Sequence, residues 1–251
     1  MSISQVNSII NEEVYSKITD KLPSVEIKEK NLRNISKIVL EKRKDLPPFY
    51  RYVPADTYNI LSLLNEDMYL ISADKMNDDY EGFVKAAQEN HPDFDNKLKR
   101  FQQKTLLKSF SEYKDSLDMW EDYADQHRGM CITYCFKNLC PKKLNHFYPV
   151  HYTNDYFSCI HPSELKNNPY FYLRKTRKWE KEGEWRFVYL DSRQRSVSLK
   201  NCITEVCFGL RMDKNFRDSI IRAAKKIYPN NKITFNQATL IRDELQVQEL
   251  K

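Results

Sequence analysis

In the stretch K178-W-E-K-E-G-E-W-R-F-V-Y-L190, Glu182 and Glu184 stand two positions apart at the head of a run of aromatic and β-branched residues. Acids so placed have two readings. As chemistry, they are a catalytic carboxylate pair. As structure, they are the wet end of a strand, with Glu184 paired to a neighbouring arginine. The strand period of two puts Glu184 and Arg186 on one face with Val188 and Leu190, and Trp185, Phe187 and Tyr189 on the other.

Two other strand-like runs carry residues that are unusual for a core. In F49-Y-R-Y-V53, Arg51 lies between Tyr50 and Tyr52 and shares a face with Phe49 and Val53. A guanidinium there wants a planar anion, a carboxylate or a phosphate. In L106-L-K-S-F-S111, Ser109 and Ser111 flank Phe110; small hydroxyls leave room for an approaching group and can hydrogen-bond it. Trp120, with Met119 and Tyr123, makes a helical stripe of the kind usual in a core, and an aromatic at a site's rim stacks on a nucleobase. His127, just before Gly129, is a helix C-cap or a base. The acids Asp78, Asp79 and Glu81 with Glu182 and Glu184 form a set that would hold Mg²⁺ for a nuclease, although Arg186 is a poor substitute for the lysine such a site uses. Cys131, Cys135 and Cys140 with His146 or His151 make a zinc set imaginable, but no C-x-x-C pair exists, and reduced core cysteines suit the composition better; no metal is expected.

Composition narrows the field. Only four glycines occur in 251 residues, at 82, 129, 183 and 209, so neither a dinucleotide fingerprint nor a phosphate-cradling loop can be written. Net charge is +6, with basic residues crowded at Lys97–Lys108 and Arg174–Lys181. Such crowds are a solvated face or an attraction for phosphates. No apolar run of about 18 residues and no secretory leader is present, which predicts a cytosolic protein that does not span a membrane.

The elements that must position these residues read as α+β. Apolar spacing predicts two amphipathic helices over 1–46, an N-terminal extension, before Pro47-Pro48 breaks the pattern. From 47 to 251 the spacing predicts strands at 49–53, 68–72, 106–111, 130–136, 146–152, 184–190, 196–199 and 202–208. Helices are expected near 57–64, 93–104, 117–126 and 213–227, with two short strands at 233–235 and near 240. Strands that first alternate with helices and then run together predict one α+β domain with a mixed or antiparallel sheet.

The order arginine, Ser-x-Ser, Glu-x-Glu resembles the motif pattern of ADP-ribosyltransferases. The resemblance implies that fold, with NAD as substrate and transfer of ADP-ribose to a macromolecule. It assigns Arg51 to the NAD phosphates, the strand of Ser109 and Ser111 to the nicotinamide pocket, Glu184 to the nicotinamide ribose and Glu182 to the acceptor; Tyr50 and Trp120 are further cofactor-binding candidates. The acceptor is a nucleic acid or a protein, and a bacterial toxin or phage-defence setting suits such chemistry. A second resemblance is to a large uncharacterised bacterial domain family. It rests on F49-Y-R-Y, M76-N-D-D-Y-E81, F110-S-E, M119-W-E-D-Y-A124 with H127-R-G129, K178-W through E182-G-E-W-R186 and V206-C-F-G209, covers about residues 49–235, and departs from the family at Asp79, where proline is common. The alternatives to the transferase are a metal-dependent nuclease and a non-catalytic module that binds a nucleotide or nucleic acid.

Overall fold

The computed structural model describes residues 34–76, 94–154, 169–190, 192–229, 233–241 and 244–250. In chain order these form α1 (34–41), β1 (Phe49–Val53), α2 (Thr57–Asn65), β2 (Asp67–Tyr69), β3 (Ile71–Ser72), α3 (Phe94–Lys104), β4 (Leu106–Ser111), α4 (Leu117–Tyr123) and β5 (Met130–Tyr134). There follow α5 (Pro141–Leu144), β6 (Phe147–Pro149), β7 (His151–Tyr152), β8 (Arg174–Lys175), β9 (Glu184–Tyr189), β10 (Ser196–Ser198), β11 (Ile203–Phe208), α6 (Lys214–Ile227), β12 (Thr234–Ile241) and β13 (Glu244–Glu249). The fold is mixed α/β, with a sheet that contains both antiparallel and parallel pairs. Most of the first 46 residues, and Asp78, Asp79, Glu81 and Cys159, lie outside the described residues. No described helix is long and apolar enough to cross a membrane.

The chain divides into two compact units, each drawing on three stretches of sequence. The first takes residues up to Asp45, Leu70–Ser109 and Cys140–Arg195; the second takes Leu46–Tyr69, Phe110–Leu139 and Ser196–Lys251. In the first unit β4, β9 and β6 lie in that order, and β3 pairs antiparallel with β4. Phe147 and Phe187 face each other across the β6–β9 ladder with ring centroids 4.5 Å apart, and Trp185 closes on Phe147 at 5.2 Å. Every residue of β9 is buried.

In the second unit the order is β13-β12-β11-β5-β1, and the last residue of β4 continues it, Ser111 standing opposite Tyr50. α6 links β11 to β12, which pair in parallel, as a crossover helix allows. The alternation in β1 separates two environments. Tyr52 lies with Trp120, Ala124, Cys131 and Cys207 in a buried cluster on one face, with Tyr50 packed against it. Phe49 stacks on Phe136 on the other.

Capping residues set the helix starts. Asp56, Ser116 and Asp213 each accept a hydrogen bond from the backbone three residues on, satisfying a donor that the helix cannot. α4 stops at Tyr123, short of the expected 126, because Asp125, Gln126 and His127 all turn left-handed, with φ of 48°, 52° and 67°. Their amides are used at once: Gln126 and His127 donate to the carbonyls of Glu121 and Trp120, and Gly129 donates to Ala124. A side chain at Gly129 would put its Cβ 2.1 Å from the Val53 carbonyl oxygen. The expected strand at 68–72 breaks at Leu70 into β2, which pairs with β10, and β3, which pairs with β4.

Candidate functional site

Four charged side chains in the first unit are buried together: Lys175 on β8, Glu182 in the turn before β9, and Glu184 and Arg186 on β9. They are exposed by 8%, 5%, 7% and 0% respectively. Glu184 and Arg186 meet because they are i and i+2 on one strand face. Arg186 Nε donates to Glu184 Oε1 at 2.6 Å and Nη2 to Oε2 at 2.7 Å, while Nη1 donates to the Tyr172 carbonyl at 2.8 Å. This two-pronged contact is the strongest geometry available to a guanidinium and a carboxylate.

Glu182 reaches the same place by a different route. It ends a 3-10 turn, and Gly183, left-handed at φ 50° and ψ 52°, reverses the chain between the two acids. Glycine takes that conformation without the cost a Cβ would add. Lys175 Nζ then lies 2.5 Å from Glu182 Oε2 and 3.2 Å from Glu184 Oε2. Two cations and two anions thus balance in a nearly dry space, which is what burial of charge demands. The Lys175 ammonium also lies 5.1 Å from the centroid of the Trp179 ring.

Burial by itself would raise the Glu184 pKa, but the charges of Arg186 and Lys175, with hydrogen bonds from Arg186 and Ser109, hold it down at about 2. Glu184 is therefore a fixed negative charge across the neutral range and a poor proton acceptor. The Glu184 amide donates to the Tyr152 hydroxyl at 2.8 Å. Burial, followed by the Glu184 charge, keeps that phenol protonated far above its ordinary range.

The remaining expected site residues separate. Ser109, on β4 beside β9, is in hydrogen-bond contact with Glu184. Ser111 is buried, and its Oγ accepts from the Tyr113 amide at 3.0 Å, so it braces the turn after β4. Arg51 is partly buried in the second unit, hydrogen-bonded to Tyr134 and 3.5 Å from Asn59 Oδ1. Burial lowers its proton affinity, though a guanidinium remains charged. Among the described residues no carboxylate lies within ion-pair distance of Arg51; Asp56 acts on it only at longer range.

Tyr50 and Trp120 lie on the opposite face of β1 from Arg51, so the three do not converge. Trp120 is 1% exposed, edge-on to Tyr52 at 5.3 Å and stacked on His127 at 5.8 Å. Both of its faces are thus against protein, as the core reading of its helical stripe has it. Tyr50 is half-buried, and burial raises its pKa beside Lys114, which pairs with Glu205 at 2.9 Å. Among the described residues no three His, Cys, Asp or Glu side chains gather to hold a metal ion. Cys131 is buried in the core and Cys140 is exposed.

Residues 119–187 match the profile of DUF2971, a protein family of unknown function. The matched stretch begins in α4 and ends in β9, so it contains His127, Gly129 and all four members of the buried quartet, and omits Arg51, Ser109 and Ser111. No curated protein matches the chain, and no solved structure matches it.

Lys175 and Tyr152 are the members of this site that motif reasoning passes over. Lys175 sits in the basic crowd 174–181, whose Arg177, Lys178 and Lys181 are exposed as a solvated face should be. The signal for it is charge balance: two buried acids brought together at the head of a strand need a second cation besides Arg186.

Asp56 accepts from both the backbone and the side-chain amide of Asn59, at 2.8 and 2.9 Å, and so holds Asn59 beside Arg51. Asp56→Ala is expected to cost about 1 kcal/mol, the usual value of an N-cap, measured by urea denaturation.

Proposed function

We propose that the chain is an ADP-ribosyltransferase-like enzyme that takes NAD as a substrate and transfers ADP-ribose to a macromolecule. The observation that carries this reading is the contact between the Ser109 hydroxyl and the ionised Glu184 on neighbouring strands. It sets the strand that the resemblance assigns to the nicotinamide pocket beside the carboxylate that it assigns to the ribose. As the bond from ribose to nicotinamide breaks, positive charge spreads over the ribose ring, and a carboxylate held in place stabilises it without having to reorganise. A group kept ionised down to pH about 2 suits this electrostatic work. The proton of the acceptor would go to Glu182. Net charge of +6 favours a nucleic acid over a protein as acceptor.

A second reading keeps the quartet as architecture and the protein as a non-catalytic binder of nucleotide or nucleic acid. Its support is the saturation of Glu184, whose two oxygens are already taken by Arg186 and Lys175. For catalysis a ribose hydroxyl must share the Glu184 Oε2 that Lys175 reaches at 3.2 Å, the longest contact of the set. The nuclease alternative draws on Asp78, Asp79 and Glu81, outside the described residues.

The test is incubation of the purified chain with NAD labelled in the adenylate and with cell extract, comparing wild type with Ser109→Ala. Wild type is expected to label a macromolecule. The variant should do so about 10- to 100-fold more slowly, the range for loss of one hydrogen bond to a charged group. NAD bound but not cleaved would install the binding module instead, and Mg²⁺-dependent phosphodiester cleavage without label transfer would install the nuclease.

A further inference from the structure

We propose that Lys175 is the positioning residue of the glutamate pair: its single ammonium, 2.5 Å from Glu182 Oε2 and 3.2 Å from Glu184 Oε2, holds the two carboxylates side by side. Its catalytic meaning rests on the transferase reading above, but the positioning itself does not.

Besides Lys175, Glu184 is faced by Arg186, by Tyr152 and by the Ser109 hydroxyl. Arg186 is fully committed to Glu184 and the Tyr172 carbonyl, and the Tyr152 phenol carries no positive charge. Without Lys175, the two buried carboxylates would lose the ammonium they share. Like charges in a dry site do not both stay ionised, so one acid would take up a proton. The contact to Trp179 further fixes the ammonium, since a cation over an indole face is held electrostatically. A lysine suits this better than an arginine because a compact ammonium has three donors that point in different directions. It also explains why Lys175 is turned inward while Arg177, Lys178 and Lys181 face water.

The experiment is an NMR titration of the full chain with ¹³C-labelled glutamate carboxyls, assigned with Glu182→Gln and Glu184→Gln. In Lys175→Met, one of the two carboxyl resonances is expected to titrate at least one pH unit higher than in wild type, and in Lys175→Arg by less than half of that. Unchanged midpoints in folded Lys175→Met would overturn the proposal. Should Lys175→Met not fold, the double variant Lys175→Met/Glu182→Gln, again balanced in charge, is expected to recover melting temperature relative to it; no recovery overturns the proposal equally. These readouts need no NAD, so a wild type that leaves NAD intact defeats the transferase reading alone. Where wild type cleaves NAD, the acid limb of the Lys175→Met pH–rate profile should move up by the interval seen in the titration.

Discussion

Arg186→Met is expected to destabilise the protein by about 3–5 kcal/mol, the range for removing one partner of a buried ion pair. Arg186 is 0% exposed and its guanidinium engages both oxygens of Glu184 and the Tyr172 carbonyl. Methionine fills much of the space but leaves Glu184 with Lys175 as its remaining cation and the Tyr172 carbonyl without this donor. Arg186→Lys would keep the charge and lose the fork, so a smaller loss is expected from it. The double replacement Glu184→Leu/Arg186→Met should cost less than the two single replacements together, because no charge of that pair is left stranded. Urea denaturation of the four proteins closes the cycle. A loss below about 1 kcal/mol in Arg186→Met would mean that the pair is solvated in solution.

The same reasoning limits what Glu184→Gln can reveal. Glutamine leaves Arg186 buried with one oxygen and one amide in place of two anionic oxygens, so activity would fall with the fold whether or not Glu184 acts in catalysis. Ser109→Ala removes a single contact to the carboxylate and disturbs the ion network least. It is therefore the sharper probe of function, and Glu184→Gln belongs in the activity assay only beside a measured melting curve.

What the sequence reveals of this site depends on whether periodicity governs the residue. β1 and β4 run as the alternation predicts, over Phe49–Val53 and Leu106–Ser111, and within β9 the period of two places Glu184 beside Arg186. Ser116 and Asp213 cap helices where their types suggest. Glu182 escapes that logic, because it stands in a turn and a left-handed Gly183 brings it round. Lys175 lies on a two-residue strand, too short to show a period. The expected pair of short strands after residue 232 is one strand, Thr234–Ile241, followed by β13. Its polar positions are half-covered by neighbours such as Arg217, which reaches Gln237 at 2.9 Å, and no local pattern announces that. Left-handed backbone at three successive residues that are not glycine is likewise set by contacts distant in sequence: the Arg211 amide donates to the His127 carbonyl, and the Gly209 amide to that of Gly129.

Acid should uncouple the quartet in a defined window. The pKa of Glu184 is depressed in the folded chain from 4.5 to about 2, so its contribution to stability is complete above about pH 4.5 and is lost as the pH falls through the interval down to 2. At about 1.4 kcal/mol per pH unit, that depression corresponds to on the order of 3 kcal/mol. Other carboxylates titrate in the same range, so the quantity to measure is the difference between wild type and Glu184→Gln. Urea midpoints at pH 7, 4.5, 3 and 2 are expected to show wild type losing its advantage only below pH 4.5, while the variant, with nothing to protonate at 184, declines less steeply. A parallel decline of the two would place the Glu184 pKa near its ordinary value and the carboxylate in contact with water. The direction matters for function too. A glutamate that gives up its charge only near pH 2 does not trade protons at neutral pH, so whatever Glu184 contributes there it contributes as a fixed anion.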